Sequence, residues 1–240
     1  MTPTLLRRLL WTPLLLVALA LPLGLVACAA DRGAQPLGCT AGTIPCLSGS
    51  AVVALDTARG RVLLRLDGNN APLTAGNFVD LVRRGVYDGT AFHRVVREPV
   101  PFVVQGGDPA SANPSVPVSQ YGSGNFIDPG SGEARLIPLE IKRHQDREPL
   151  YGKELTTPVI TKDLALSHQR GALAMARAQD PNSASAQFYI ALEALPELDG
   201  RYAVFGQVTQ GMEVVDAIRQ GDKLLKASLL EGGKLVKGQP

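Results

Sequence analysis

The stretch AFHRVVREPVPFVVQGGD, residues 91–108, carries two short apolar runs, 91–96 and 102–105, and the second ends on paired glycines. The turn signal Tyr87-Asp88-Gly89-Thr90 precedes the first run, and both runs read as short β-strands bounded by turn residues. Side chains two apart on a strand share a face, so Phe92 points with Arg94, and Val103 with Gln105. If the two runs pair, a guanidinium and a carboxamide share one apolar surface. That combination suits work on an amide bond without a nucleophile.

Working outward, residues 52–57 and 61–67 are two more β runs joined by Ala58-Arg59-Gly60, a hairpin signal with glycine in the turn. Val62, Leu64 and Leu66 fall on one face of the second. Pro72-Leu73-Thr74 opens a helical segment over 75–89 in which Phe78, Leu81 and Val82 keep helical spacing, with Thr74 placed to cap it and Gly85 to end it. Residues 172–176, 187–192 and 203–208 predict further strands, and 212–219 a second short helix. Many short strands with two helices point to a β-barrel. Residues 109–169 form a long insertion, rich first in Pro, Ser, Asn and Gly and then in charge over 142–148, which reads as a solvated face. A loop of this length is functional or decorative rather than core.

The chain has 240 residues, 45% of them hydrophobic, enough for one sizeable core. Its net charge of +2, with basic residues scattered, gives no case for a nucleic-acid partner, and none is expected. The N-terminus differs in kind. Arg7-Arg8 precede an apolar run over 9–27 that Pro13, Pro22 and Gly24 interrupt, the pattern of a signal peptide over 1–27. Its ending, Leu25-Val26-Ala27-Cys28, resembles a bacterial lipobox, in which Cys28 becomes the lipidated mature N-terminus; cleavage at Ala27 or Ala30, or an uncleaved anchor, is the alternative. Residues 28–50 then form the lipidated end and a linker, and 51–240 the folded domain. In an exported chain Cys39 and Cys46 can form a local disulfide, with two free thiols as the alternative.

Four segments, in order, resemble the cyclophilin family of peptidyl-prolyl cis/trans isomerases: NFVDLVRRGVYDGTAFHRV (77–95), QGGDP (105–109), GALAMARAQDPNSASAQFYI (171–190) and LDGRYAVFGQV (198–208). The resemblance implies a mainly β fold, a closed eight-stranded antiparallel barrel capped by two helices. It implies that Arg94 is the catalytic arginine and Gln105 the glutamine that binds substrate. Phe102, Val103, Tyr189 and Leu198 map to the proline pocket, Tyr202 to its wall, and Ala176 and Arg177 to a backbone segment that holds the peptide. Val103, Tyr189 and Tyr202 stand where methionine, phenylalanine and histidine are common in the family. Glu197 replaces a frequent tryptophan, which implies weak cyclosporin binding. The segment 97–101 is longer than in many relatives and must fold aside for Arg94, Phe102 and Gln105 to meet one proline.

The expected activity is isomerisation of X-Pro bonds in exported or envelope proteins by a monomer tethered through lipid to the membrane, in the periplasm or on the outer face of the cytoplasmic membrane. A proline-peptide binding module or holdase chaperone is the alternative. No metal or organic cofactor is expected, because zinc-spaced ligands, a Walker loop and a G-x-S-x-G elbow are missing from the sequence. With no nucleophile set beside a histidine, a hydrolase triad is excluded as well. His93 reads as structural, and His144 and His168 as loop residues.

Overall fold

The computed structural model describes residues 38–39 and 44–237. The expected signal peptide, the lipidation site Cys28 and residues 29–37 of the linker lie outside the described residues. Within them, the strands are β1 (Cys46–Leu47), β2 (Ser50–Thr57), β3 (Gly60–Asp67), β4 (Arg94–Val96), β5 (Val103–Gly106), β6 (Glu140–Ile141), β7 (Leu150–Tyr151), β8 (Ala172–Met175), β9 (Phe188–Ala191), β10 (Val204–Gln210), β11 (Leu224–Gly232) and β12 (Leu235–Val236). The helices are α1 (Pro72–Arg83), the single turn α2 (Pro158–Thr161) and α3 (Met212–Ala217). None of the described helices is long and apolar enough to cross a membrane.

Eight strands make one antiparallel sheet in the order β11-β2-β3-β10-β8-β9-β5-β4. Its two ends meet where Ala91 bridges Lys223, flanked by backbone bonds from Phe92 N–H to the Asp222 carbonyl (2.9 Å) and from Leu224 N–H to the Thr90 carbonyl (2.8 Å). The curl therefore closes just before β4 and at the start of β11. The hairpin β2–β3 runs in unbroken register from Ser50↔Asp67 to Thr57↔Gly60. Gly60 takes φ +133° in its turn, a value that side chains rarely tolerate. Val53, Leu55, Val62, Leu64 and Leu66 all bury inward, as the period-two pattern requires. Inside the curl Phe78 of α1 packs against Tyr87, Phe188 and Phe205, with ring centroids 4.9, 5.4 and 5.2 Å away.

Helix α1 begins differently from the sequence expectation. Thr74 lies within the helix, and the residue at the N-cap position, Ala71, offers no side-chain acceptor. The carboxylate of Glu140 takes that role from 66 residues away, accepting from Leu73 N–H at 3.0 Å and Thr74 N–H at 2.7 Å. Gly85 ends the helix as expected: its φ is +69°, and its N–H reaches the Val82 carbonyl at 3.0 Å.

The insertion also departs from expectation. Its later half contributes buried Ile137, Leu139 and Ile141, and β6 pairs with β7. This half is part of the packing rather than decoration. The strand β11 went unseen in the sequence, because register shifts at Leu224/Lys226 and Leu229/Glu231 break its alternation.

Candidate active site

The pairing of β4 with β5 sets Arg94 directly opposite Gln105, and the pairing of β5 with β9 sets Gln105 opposite Tyr189, which in turn faces Ala174 on β8. One row of side chains thus crosses four strands on the outer face of the sheet. Their neighbours in sequence, Val104, Phe188, Ile190 and Leu173, point into the main core. On the outer face Val103, Ala174, Tyr189, Ala191, Leu195 and Val204 form a second apolar cluster, against which Phe102, Ala176, Leu198 and Tyr202 pack. The folding of 97–101 makes this possible: Phe102 N–H bonds to the Val96 carbonyl (3.0 Å), and Arg97 donates to the Val215 and Ile218 carbonyls of α3 (3.1 and 2.9 Å). Residues 98–101 are exposed, and Arg94 stays beside the Phe102 ring.

The Arg94 guanidinium stands 5.6 Å from the Phe102 ring centre and donates one long bond, 3.4 Å, to Gln105 Oε1. Among the described residues it has no other hydrogen-bond partner. Its remaining donors face outward, free to meet a ligand. Gln105 is held from behind, its Nε2 donating to Gln187 Oε1 at 3.3 Å, while Gln187 Nε2 donates to the carbonyls of Gly122 and Gly124 at 3.0 and 2.9 Å. Those glycines are fixed by the buried Asp108 carboxylate, which accepts their N–H groups at 2.6 and 3.2 Å and that of Ala110 at 2.8 Å. The paired glycines before Asp108 are needed for space. A side chain on Gly107, at φ +81°, would stand 2.7 Å from the Phe188 ring.

Two concavities flank the cluster. One, about 330 Å³, is lined by Gln105, Gln187, Asn125, Ser183, Ala176 and Arg177. The other, about 680 Å³, opens past Leu198 and Tyr202 to Glu197, Arg201 and Glu154. Matching the sequence against family profiles gives the cyclophilin type peptidyl-prolyl cis-trans isomerase/CLD family over residues 52–234. The chain belongs to this family.

Among its relatives, a protein of Synechocystis sp. named as a thylakoid lumen peptidyl-prolyl cis-trans isomerase is 39% identical over 206 residues, 81% of this chain and 51% of that one. The chloroplastic isomerase CYP38 of Arabidopsis thaliana is 38% identical over 177 residues, 70% of this chain and 37% of its own. The chain thus spans about half, or less, of these two relatives. An isomerase of Streptomyces antibioticus is 33% identical, over 70% of this chain and 83% of its own. The crystal structure of cyclophilin AquaCyp293 from Hirschia baltica matches with a TM-score of 0.54 and 22% identity, over 77% of this chain and 75% of that one. At that identity the match speaks for the cyclophilin fold alone.

The site of this cyclophilin contains groups that the sequence did not reveal. His168, read as a loop residue, is 1% exposed and bonds Tyr189 Oη through Nε2 (2.8 Å) and Asp199 Oδ1 through Nδ1 (2.8 Å). Arg177 contributes its side chain as well as its backbone. It lies 4.9 Å from the Tyr202 ring centre, donates to the Arg201, Ala178 and Gln179 carbonyls, and pairs with Glu154 of the insertion. No spacing rule could have found the contacts of His168 with Tyr189 and Asp199 or of Arg177 with Glu154 and Arg201, since these partners lie 21 to 31 residues away. His93 is half-buried, neither ring nitrogen has a hydrogen-bond partner among the described residues, and burial lowers its pKa from the ordinary histidine value although Asp108 pulls the other way. Cys39 and Cys46 are disulfide-bonded; Cys46 lies in β1 and packs with the main core rather than with the outer-face cluster.

Proposed function

We propose that this chain is a peptidyl-prolyl cis/trans isomerase acting on X-Pro bonds of exported polypeptides. The observation that carries the reading is the row Arg94–Gln105–Tyr189 laid over the apolar cluster of Phe102, Val103 and Leu198. An X-Pro bond turns slowly because its C–N bond is partly double, with a barrier of about 18–20 kcal/mol. In the twisted state the nitrogen loses conjugation and regains a lone pair. Arg94, with donors facing outward beside Phe102, can donate to that nitrogen only as the bond twists, so it binds the transition state better than the planar ground state. Gln105, its amide oriented by Gln187, can hold a peptide carbonyl while the cluster grips the proline ring. Removing about 8 kcal/mol of barrier would accelerate rotation roughly 10⁶-fold, with no bond broken.

Export is supported by the basic-then-apolar N-terminal segment 1–27 and by the thylakoid lumen and chloroplast named for two relatives. Lipid attachment at Cys28 is supported by Leu25-Val26-Ala27-Cys28, and a mass spectrum of the mature N-terminus tests it. The isomerase reading is tested on a proline tetrapeptide. Arg94→Ala should lower turnover by roughly 10²-fold or more, the scale of losing one donor to developing charge, with an unchanged thermal transition. Unaltered turnover in the folded variant would remove the mechanism. A protein that only suppresses aggregation, and does not speed refolding limited by proline isomerisation, would instead be a binding module.

A further inference from the structure

The geometry points to His168 as a positioning residue for the proline pocket: it fixes the hydroxyl of Tyr189 behind the pocket and ties that ring to the Leu198 wall through Asp199. The inference rests on the isomerase reading above. Asp199 Oδ1 accepts both the backbone N–H of His168 and its ring Nδ1–H, each at 2.8 Å, and the His168 carbonyl accepts Leu195 N–H at 2.8 Å. His168 is therefore clamped to the segment that carries Leu198. With Nδ1 donating to a carboxylate, Nε2 presents a lone pair, and the Tyr189 O–H, 2.8 Å away, donates to it. Burial, with Tyr202 and Asp199 nearby, holds the Tyr189 phenol well above its usual pKa, so it stays a donor. The two rings lie nearly parallel, 12° apart, and Tyr202 meets Tyr189 edge-on at 82°.

A buried hydroxyl without an acceptor is costly, so removing His168 leaves the Tyr189 phenol to seek another partner and moves a ring that belongs to the outer-face cluster. His168→Leu should weaken binding of a proline tetrapeptide by about 10-fold and raise KM more than it lowers kcat, whereas Arg94→Ala acts on kcat. Placed in the Tyr189→Phe background, where no hydroxyl needs an acceptor, His168→Leu should cost less than 3-fold relative to Tyr189→Phe alone. Equal losses in both backgrounds would make His168 a mere fold support and overturn the proposal. The ring resonances of Tyr189 give a readout independent of turnover: they should move in His168→Leu while those of Tyr87 stay in place. If wild type lacks turnover but these resonances move, the isomerase reading fails and the positioning stands; unmoved Tyr189 resonances in a folded variant overturn it. Should His168→Leu lack a cooperative thermal transition, His168→Phe, which fills the same place without an acceptor for the Tyr189 hydroxyl, takes its position in the same cycle.

Discussion

In the proposed mechanism Arg94 would act through the shape of its donor set as much as through its charge. The planar fork keeps one N–H on Gln105 while the others face outward, and a lysine ammonium on a flexible stem cannot hold both directions at once. Arg94→Lys should therefore lose most of what Arg94→Ala loses, on the order of 10²-fold in kcat/KM; turnover within a few-fold of wild type would show that charge alone suffices. Glu197 makes a second residue-scale case. It is exposed at the rim of the larger concavity and offers no flat aromatic surface of its own, so cyclosporin should bind weakly and Glu197→Trp should tighten it. Sub-micromolar inhibition of the wild type would contradict that expectation. Strand alternation placed Val103 with Gln105, whereas Phe102, Tyr189, Leu198 and Tyr202 were legible only through the family resemblance; alternation also set Phe92 beside Arg94, but Phe92 precedes β4 and packs into the main core. His168 and Gln187 were not legible, since the partners they find in Tyr189 and Asp199 and in Gly122 and Gly124 lie 21 to 65 residues away, and Asp108 was not, since the loop over Gly122 and Gly124 that it holds has no regular period.

Among the elements, α1 depends most on a distant group. Its first turn leaves N–H groups that need acceptors, and a sequence reading looks for them in the adjacent residues, as it did with Thr74. The acceptor is instead Glu140 of β6, fully buried, which also ties the insertion to the barrel. Glu140→Ala would strand the N–H groups of Leu73 and Thr74 away from water and should destabilise the fold by about 2–4 kcal/mol, read from chemical denaturation. Burial raises the Glu140 pKa above its ordinary 4.5, although the bonds from Thr74 and Leu73 pull it down. With the folded value raised, the folded protein binds the extra proton between 4.5 and that value, so this contribution is full below 4.5 and is lost as pH rises through the window. The stability difference between wild type and Glu140→Gln should accordingly shrink as pH rises above 4.5. A flat difference curve would mean that the helix terminus, rather than burial, governs the carboxyl.

At the scale of the molecule, the barrel is a closure problem. Hairpins such as β2–β3 are local and announce themselves by alternation and a glycine turn, whereas the seam that closes the sheet joins residues near 91 to residues near 223. Nothing in the spacing of either segment names the other, and β11, with its two register shifts, lacks the alternation that would have marked it as a strand. Yet β11 covers the whole length of β2 and buries Leu224 and Ala227 in the core, so it cannot be peripheral. The short β12 differs: it pairs only with β1, through Cys46↔Val236 and Leu47↔Leu235. Two truncations separate these roles. Ending the chain after Arg219 removes the seam and exposes one edge of β2, and because native stability is only about 5–15 kcal/mol, no cooperative thermal transition should remain. Ending it after Gly233 removes β12 alone and should keep a cooperative transition at a lower midpoint, with proline-peptide turnover retained because the outer-face cluster is untouched. A cooperative transition in the shorter chain would show that the sheet holds its curl without the seam at Ala91 and Lys223.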